Sequence, residues 1–171
     1  MPRIRQLDCI GPNELSSLCD VLIDCVEGGA SVSFMRPMTL AKAADFWRGV
    51  AASMARGERA LIVAEDSEGR ILGTAQALWA EAENQPHRAD IAKMLVHSSA
   101  RRLGVGAAVL RAAESAARES GRNVLVLDTA SDAAERLYER SGWQRVGTIP
   151  DFALMPDGAR CDTVVYYKRL D

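Results

Sequence analysis

Two arginines and two glycines stand between an apolar segment and a predicted helix, in the run Arg101-Arg102-Leu103-Gly104-Val105-Gly106-Ala107. The first N–H groups of a helix have no intrahelical acceptor and carry partial positive charge, so they attract anions. Glycine lacks a Cβ atom, which lets a bulky phosphate approach the backbone closely. Arg101 and Arg102 add fixed positive charge. The run therefore predicts a turn that holds a phosphate, and we call residues 101–107 the phosphate turn.

The spacing in this turn differs from two common phosphate motifs. A P-loop would place Lys-Ser/Thr after its second glycine, and a full dinucleotide-binding fingerprint would contain three glycines. Two glycines and an arginine at this spacing also occur in ordinary connections between a strand and a helix. The elements around the turn must therefore decide between these interpretations.

The composition predicts one compact domain over residues 1–171. The chain is 48% hydrophobic and 26% charged, and a chain of this length can bury a full core. Its formal net charge of −2 favours neither nucleic acid nor an anionic membrane as a partner. The N-terminal residues lack the apolar core of a signal peptide, and no apolar stretch approaches the roughly 20 residues that cross a bilayer. We therefore expect a cytoplasmic protein.

The residues that usually bind metal ions show no metal-site pattern. The chain has 4 cysteines and 2 histidines, and the cysteines form no Cys-x-x-Cys pair. We therefore expect no metal cofactor and interpret the cysteines as small, mostly buried hydrophobic residues.

Hydrophobic periodicity predicts strands and helices in the order β-α-α-β-β-β-α-β-α-β-β. This order indicates an α/β fold with a mixed central sheet of about six to seven strands and about four flanking helices. The purely apolar run 124–127 is typical of a strand buried on both faces, and residues 150–162 are expected to be irregular. The predicted strands are 4–9, 60–65, 71–79, 88–96, 124–127, 143–149 and 163–168, and the predicted helices are 12–27, 40–56, 104–120 and 132–141.

A second motif lies in the last predicted helix, as Ala134-x-x-Leu137-Tyr138-x-x-x-Gly142-Trp143. With the phosphate turn and the element order, this motif resembles the GNAT superfamily of N-acetyltransferases. The signature of that family, Arg/Gln-x-x-Gly-x-Gly/Ala, binds the pyrophosphate of acyl-CoA. The resemblance covers nearly the whole chain, and it implies the GNAT fold with acetyl-CoA as the co-substrate.

The resemblance implies coenzyme contacts on both sides of the phosphate turn. The strand before the turn splays from its neighbour in this family, which would free backbone groups of Met94, Leu95 and Val96 for the pantetheine amides. One of their N–H groups could also polarise the thioester carbonyl. The phosphate turn would hold the pyrophosphate. Ser131 stands where the family frequently has an asparagine that contacts the coenzyme, although Ser131 could equally serve only as a helix cap.

The resemblance also implies direct attack of an amine on the acetyl thioester. Tyr138 occupies the position of the family's general acid, which protonates the leaving thiolate, and an ordinary tyrosine pKa near 10 keeps it protonated at neutral pH. The alternative is a packed aromatic residue with its hydroxyl in water. Asp90, on the strand that enters the site, is the best candidate for a general base. For Asp90, as for Glu81 and Glu83 in the preceding loop, a solvated surface carboxylate is the alternative.

Three short segments resemble the tabtoxin-resistance acetyltransferases within the superfamily. They are residues 28–35, Leu127-Asp128-Thr129 and Pro156-Asp157-Gly158. The resemblance implies an acceptor with a primary amine on a small polar molecule that is similar to an amino acid, antibiotic or toxin. Phe34 and Met35 could form an apolar wall of the acceptor site, which Glu81 could border, or they could pack into the core. The final strand, 163–168, could offer an edge for a homodimer.

Other functions remain compatible with these patterns. A non-catalytic sensor would bind acetyl-CoA without turnover, and a nucleotide-binding domain would prefer ATP or NAD to CoA. The acceptor amine could also belong to a protein, at an N-terminus or a lysine side chain.

Overall fold

The computed structural model describes residues 2–170 and forms one seven-stranded sheet with helices on both faces. The strands follow the order β1-β2-β3-β4-β5-β7-β6, and every neighbouring pair is antiparallel except β4 and β5. The strands are β1 (Arg3–Leu7), β2 (Arg59–Glu65), β3 (Ile71–Trp79), β4 (Arg88–Val96), β5 (Val124–Thr129), β6 (Gln144–Leu154) and β7 (Arg160–Arg169). The helices are α1 (Pro12–Glu27), α2 (Leu40–Ala55), α3 (Val105–Glu119) and α4 (Asp132–Arg140), and a 3-10 turn spans Ser98–Ala100.

The two faces of the sheet carry separate hydrophobic clusters. Side chains alternate along a strand, so Ile62 of β2 packs with α3 whereas its neighbours Leu61 and Val63 pack with α1 and α2. The small residues of α3, such as Ala113 and Ala117, are fully buried and let this helix approach the sheet closely. The sheet is therefore covered on both sides, with α1 and α2 on one face and α3 on the other.

The only parallel pair of the described strands separates soon after it forms. Arg88, Ala89 and Asp90 of β4 pair with the first three residues of β5, and the pairing then stops. Beyond that point β4 continues to Val96 along β3, while β5 continues to Thr129 along β7. The two strands thus enclose a wedge, which we call the cleft. Its open end lies at the carboxyl ends of both strands.

The element order and the mixed seven-stranded sheet confirm the sequence-based fold prediction, but several local predictions were wrong. β1 ends at Leu7, before Cys9. β6 continues through Pro150 to Leu154, because an edge strand tolerates a residue without a backbone donor. β5 is buried on one face only, since Val124 and Val126 are partly exposed.

The expected edge at residues 163–168 was also wrong. β7 lies between β5 and β6 and pairs with both, so β6 forms that edge of the sheet. Among the described residues, no helix is long and apolar enough to span a membrane.

Candidate active site

The phosphate turn joins the end of β4 to α3 at the open end of the cleft. Gly104 is the residue before the helix and has φ +81°, a left-handed conformation that favours glycine. A Cβ atom placed on Gly104 would meet no heavy atom within 4 Å, so the space beside it is open. The N–H groups of Val105, Gly106 and Ala107 follow in the first helical turn, where no intrahelical acceptor is available. This arrangement presents backbone donors to an anion.

Two other glycines bring the start of α3 close to the sheet and to α4. A Cβ atom on Gly73 of β3 would lie 2.7 Å from Val105 Cγ1, a distance that real contacts do not reach. A Cβ atom on Gly106 would lie 3.4 Å from Leu137 Cδ2. Sequence reasoning missed Gly73, because a glycine in a strand does not reveal which side chain packs against it. Both glycines allow close packing of α3, and this packing fixes the position of the phosphate turn.

Asp24 of α1 holds the chain just before the phosphate turn. Its carboxylate accepts hydrogen bonds from the Ser98 N–H (2.8 Å) and hydroxyl (2.7 Å). Burial opposes ionisation of Asp24, but these hydrogen bonds, together with the nearby His97 and Arg101, outweigh it, so the pKa lies below the ordinary value. Arg101 donates to the Val96 carbonyl (3.3 Å) and lies 3.8 Å from Asp24. These contacts hold Arg101 beside the end of β4, although both arginines are exposed, and Arg102 has φ +63°.

The β4 residues that were expected to bind pantetheine differ in where their backbone groups point. The Leu95 carbonyl lies toward β3, since a Cβ atom on Gly73 would be 3.0 Å from it. Met94 and Val96 alternate with Leu95, which turns their backbone groups to the cleft side. The Val96 carbonyl already accepts from Arg101 and from the Cys25 thiol. The backbone groups of Met94 and the Val96 N–H are therefore better placed than those of Leu95 to contact a ligand in the cleft.

Tyr138 lies on α4, belongs to the hydrophobic cluster on the α3 face of the sheet and is 4% exposed. Its ring packs against Trp143 and Tyr166, each with a centroid 5.9 Å away. The Trp143 indole donates to Glu114 of α3 at 2.8 Å, which fixes that ring. Burial raises the pKa of Tyr138, and the nearby Asp128 carboxylate raises it further. Tyr138 is therefore both a packed aromatic residue and a hydroxyl that stays protonated.

Ser131 caps α4, because its hydroxyl accepts from the Ala134 N–H at 3.4 Å. The cap uses one lone pair of this oxygen, and its hydroxyl proton is still available to a ligand. The structure thus confirms that Ser131 caps α4. Its contact with the coenzyme stays a prediction.

A cavity of about 240 Å³ opens beside the cleft, on the α1 and α2 side of the sheet. We call it the side cavity. Three segments that are far apart in the sequence form it, namely the α1–α2 loop, the end of β5 and the β6–β7 hairpin. Its lining residues are Ser31, Ser33, Phe34, Met35, Asp128, Thr129, Ala130, Phe152, Ala153, Leu154, Cys161, Asp162 and Thr163. The structure thus brings Phe34 and Met35 together with the β5 end.

Asp128 is a carboxylate that lines the side cavity and whose charge also acts on Tyr138. It follows the buried Leu127, so its side chain lies on the opposite face of β5. Thr163, which is 3% exposed, donates its hydroxyl to Asp128 at 2.7 Å. Sequence reasoning did not select Asp128 for chemistry, although a carboxylate directly after the apolar run 124–127 was an available signal.

The structure does not bring Asp90 or Glu81 to the side cavity. Asp90 accepts from Arg88 at 2.7 Å and lies where the cleft closes. Glu81 is exposed in the loop before β4, at the opposite end of that strand from Val96. Phe34 lies beside Lys93, and the five residues from Arg88 to Lys93 correspond to roughly 17 Å at about 3.3 Å per residue. Glu81 is therefore placed away from Phe34 and Met35.

Lys93 is a third residue that sequence reasoning missed. It forms a bulge in β4 with φ +49°, where the register with β3 shifts. Its ammonium donates to the Ser33 hydroxyl at 3.0 Å and lies 5.8 Å and 5.7 Å from the ring centroids of Phe34 and Phe46. Burial lowers the pKa of Lys93, and Asp128 partly opposes that shift. Its presence in an otherwise apolar stretch was the only sequence signal.

A family model described as the acetyltransferase (GNAT) family matches residues 28–143. Among solved structures, a ribosomal-protein-alanine N-acetyltransferase from Brucella melitensis is 24% identical, with a TM-score of 0.80 over 98% of this chain and 99% of that chain. An N-acetyltransferase from Staphylococcus aureus is 19% identical, with a TM-score of 0.83 over 100% and 99% of the two chains. A phosphinothricin acetyltransferase from Sinorhizobium meliloti in complex with acetyl-CoA is 17% identical, with a TM-score of 0.83 over 99% and 88%.

The structural similarity at these identities establishes the fold. The match to the family model spans more than half of the chain and includes the phosphate turn, the cleft side of β4 and Tyr138. The protein therefore belongs to the acetyltransferase (GNAT) family.

Proposed function

We propose that the protein transfers an acetyl group from acetyl-CoA to the primary amine of a small polar molecule. One observation carries this proposal. The phosphate turn and the side cavity lie at the same end of the sheet, and the cleft between β4 and β5 connects them. A thioester that enters along β4 would therefore reach an amine that enters past Phe34 and Met35.

The coenzyme would be held mainly by the backbone. The N–H groups at the start of α3, with Arg101 and Arg102, would bind the pyrophosphate in the open space beside Gly104. Backbone groups of Met94 and Val96 would bind the pantetheine amides. Ser131, at the start of α4, would add a hydrogen bond from its hydroxyl.

The transfer step needs one proton acceptor and one proton donor. The amine nitrogen forms a bond to the acetyl carbon, and the bond from that carbon to sulfur breaks. The amine loses a proton to Asp128, and the departing thiolate takes a proton from Tyr138. The Tyr138 hydroxyl is available as a donor because it stays protonated at neutral pH.

Asp128 replaces Asp90 in our proposal for the proton acceptor. Asp128 lines the side cavity, whereas Asp90 is held by Arg88 at 2.7 Å. A carboxylate at this position would also attract the protonated amine before the reaction. The Thr163 hydroxyl would orient the carboxylate through one oxygen and leave the other for the acceptor.

The size of the side cavity favours a small acceptor. Its volume of about 240 Å³ lies below the range of roughly 300–1,000 Å³ that is usual for drug-sized ligands. The Sinorhizobium meliloti enzyme is named for phosphinothricin and not for a protein, which supports a small-molecule acceptor. The Brucella melitensis enzyme is named for a ribosomal protein, so a protein N-terminus is the competing acceptor.

Calorimetric titration with acetyl-CoA and with CoA, followed by a thiol-release assay over a panel of small amines, tests the proposal. We expect binding of both coenzyme forms and thiol release that depends on the amine. Binding with release only on peptides that carry a free N-terminus would support a protein acceptor. Binding without release from any amine would indicate a sensor, and tighter binding of ATP or NAD than of CoA would contradict the proposal.

A further inference from the structure

We propose that Lys93 and Ser33 form an anion-binding subsite at the side cavity, so the acceptor must carry a carboxylate or similar anionic group near its primary amine. This inference rests on the proposed function, because it specifies which amines the cavity accepts. It also assigns Lys93 a role as the residue that determines acceptor specificity.

The first argument is the surroundings of the Lys93 ammonium. Its protein contacts are one neutral hydroxyl and two aromatic rings. Within residues 2–170 it forms no ion pair with a carboxylate, although a positive group that is withdrawn from water normally acquires one. Asp128 acts on it only through longer-range charge. A ligand anion next to Ser33 would supply the missing counterion.

The second argument is an excess of donors around Lys93. Gln76 of β3 pairs in register with Ala92, the residue before Lys93, and is 1% exposed. Its side-chain oxygen accepts from Arg59 at 2.8 Å, and its amide nitrogen has no partner among the described residues. Arg59 is close enough to lower the pKa of Lys93. An unused donor and a second cation, which Glu58 also faces, therefore lie near Lys93.

The third argument is backbone strain. Lys93 and Ser33 both have left-handed backbone conformations, with φ +49° and +78°. Such conformations cost free energy in residues with a side chain, and they concentrate at binding and catalytic sites. The two strained residues meet in one hydrogen bond. This geometry directs the Lys93 ammonium toward the residue that lines the cavity.

The fourth argument is the distribution of charge around the side cavity. Asp128 and Asp162 line it from β5 and β7, and Lys93 stands behind Ser33 on the other wall. The positive and negative groups do not pair with each other, so each can take a ligand group of opposite charge. An acceptor with an ammonium and a carboxylate a few ångströms apart would satisfy both. The Ser33 hydroxyl accepts from Lys93 and can donate its proton to the carboxylate.

The test compares acceptors with and without a carboxylate beside the amine. Because an amide or ester also lowers the pKa of that amine, kcat/KM is expressed per unprotonated amine. Each L-amino acid of a panel is assayed beside its carboxamide and its methyl ester, with wild-type protein and with Lys93→Met. We expect wild-type kcat/KM to be about ten- to a hundredfold higher for the carboxylate form, which is the range of a hydrogen bond to a charged group. Lys93→Met should remove that preference, mainly by lowering kcat/KM for the carboxylate. The Kd for acetyl-CoA should stay within about twofold, as a check on folding.

Three further variants sharpen the test. Ser33→Ala should reduce the preference less than Lys93→Met, and Lys93→Arg should retain part of it. Arg48→Met removes a positive charge from an exposed position on α2 and should change nothing. Equal wild-type rates for carboxylate and carboxamide would overturn the proposal, as would a preference that survives in Lys93→Met.

A binding measurement separates failure of the subsite from failure of the proposed function. If no compound releases thiol, calorimetric titration of the same amino acids and carboxamides is repeated on wild-type protein and Lys93→Met. Selective binding of the carboxylate form that requires Lys93 would establish the subsite and reject the transfer to these amines. Absence of such binding would reject the subsite as well.

Discussion

The two walls of the proposed active site are built in different ways. The phosphate turn is a continuous segment, and its donors are backbone N–H groups at the start of α3 that the left-handed Gly104 leaves open to a ligand. The side cavity joins three segments from different parts of the chain, and its chemistry comes from side chains such as Asp128 and Phe34. A backbone site binds a constant group, whereas a side-chain site can change its ligand by substitution. We call the phosphate turn the coenzyme wall and the side cavity the acceptor wall. The coenzyme wall should therefore tolerate few substitutions, and the acceptor wall should determine which amine is accepted.

The largest effect should come from closing the coenzyme wall. Gly104→Glu places a negative side chain in the open space beside the phosphate turn and strains a backbone with φ +81°. We expect loss of measurable acetyl-CoA binding by calorimetry. Gly121→Glu is the matched control, because Gly121 has φ +80° and also faces open space, but at the other end of α3. Equal loss of binding in both variants would contradict the assigned role of the turn.

The next effect should be confined to the acceptor wall. Asp128→Asn removes the proton acceptor and the negative charge from the side cavity, while its amide oxygen can still accept from Thr163. We expect kcat/KM for the amine to fall by about 10²–10⁴, the usual contribution of general acid–base catalysis. The Kd for acetyl-CoA should be unchanged. Asp90→Asn is the control, and a larger loss in that variant would return the proton acceptor to Asp90.

Tyr138→Phe should have an effect at the lower end of the same range. Acetyl-CoA should still bind, and kcat should fall by about 10² because water can replace the donor only poorly. Since burial raises the pKa of Tyr138 above its ordinary value of 10, the wild-type rate should not fall through this group as pH rises toward that value. A kcat that Tyr138→Phe leaves unchanged across the pH range would exclude the general-acid role.

The smallest effect should be on stability. The folded-state pKa of Asp24 is below its ordinary value of 3.8, so its hydrogen bonds to Ser98 stabilise the fold above that pH. The stabilisation should disappear as pH falls through the lower, folded-state pKa. We expect Asp24→Asn to reduce the free energy of unfolding by about 1–2 kcal/mol at pH 7. Urea denaturation at pH 7 and pH 2.5 measures this, and an equal deficit at both values would argue against an electrostatic cause.

Local sequence signals explain which predictions held. The Thr39 cap, whose hydroxyl accepts from the Lys42 N–H, and the apolar spacing of α3 act within one or two helical turns. The element order could therefore be predicted before any packing was known. The end of β6 could not, because Pro150 is tolerated only at an edge, and the sequence does not indicate which strand forms that edge.

The sequence by itself determined the order of elements, the phosphate turn and the resemblance that identified the family, because each depends on residues close together in the chain. Only the tertiary structure decided that Asp128 lines the side cavity while Asp90 pairs with Arg88, and that Glu81 lies at the opposite end of β4. It also decided that Lys93 meets Ser33, sixty positions away in the sequence. The physical reason is that strand register and the β4 bulge set where each side chain points. Pairing between distant segments fixes both of these.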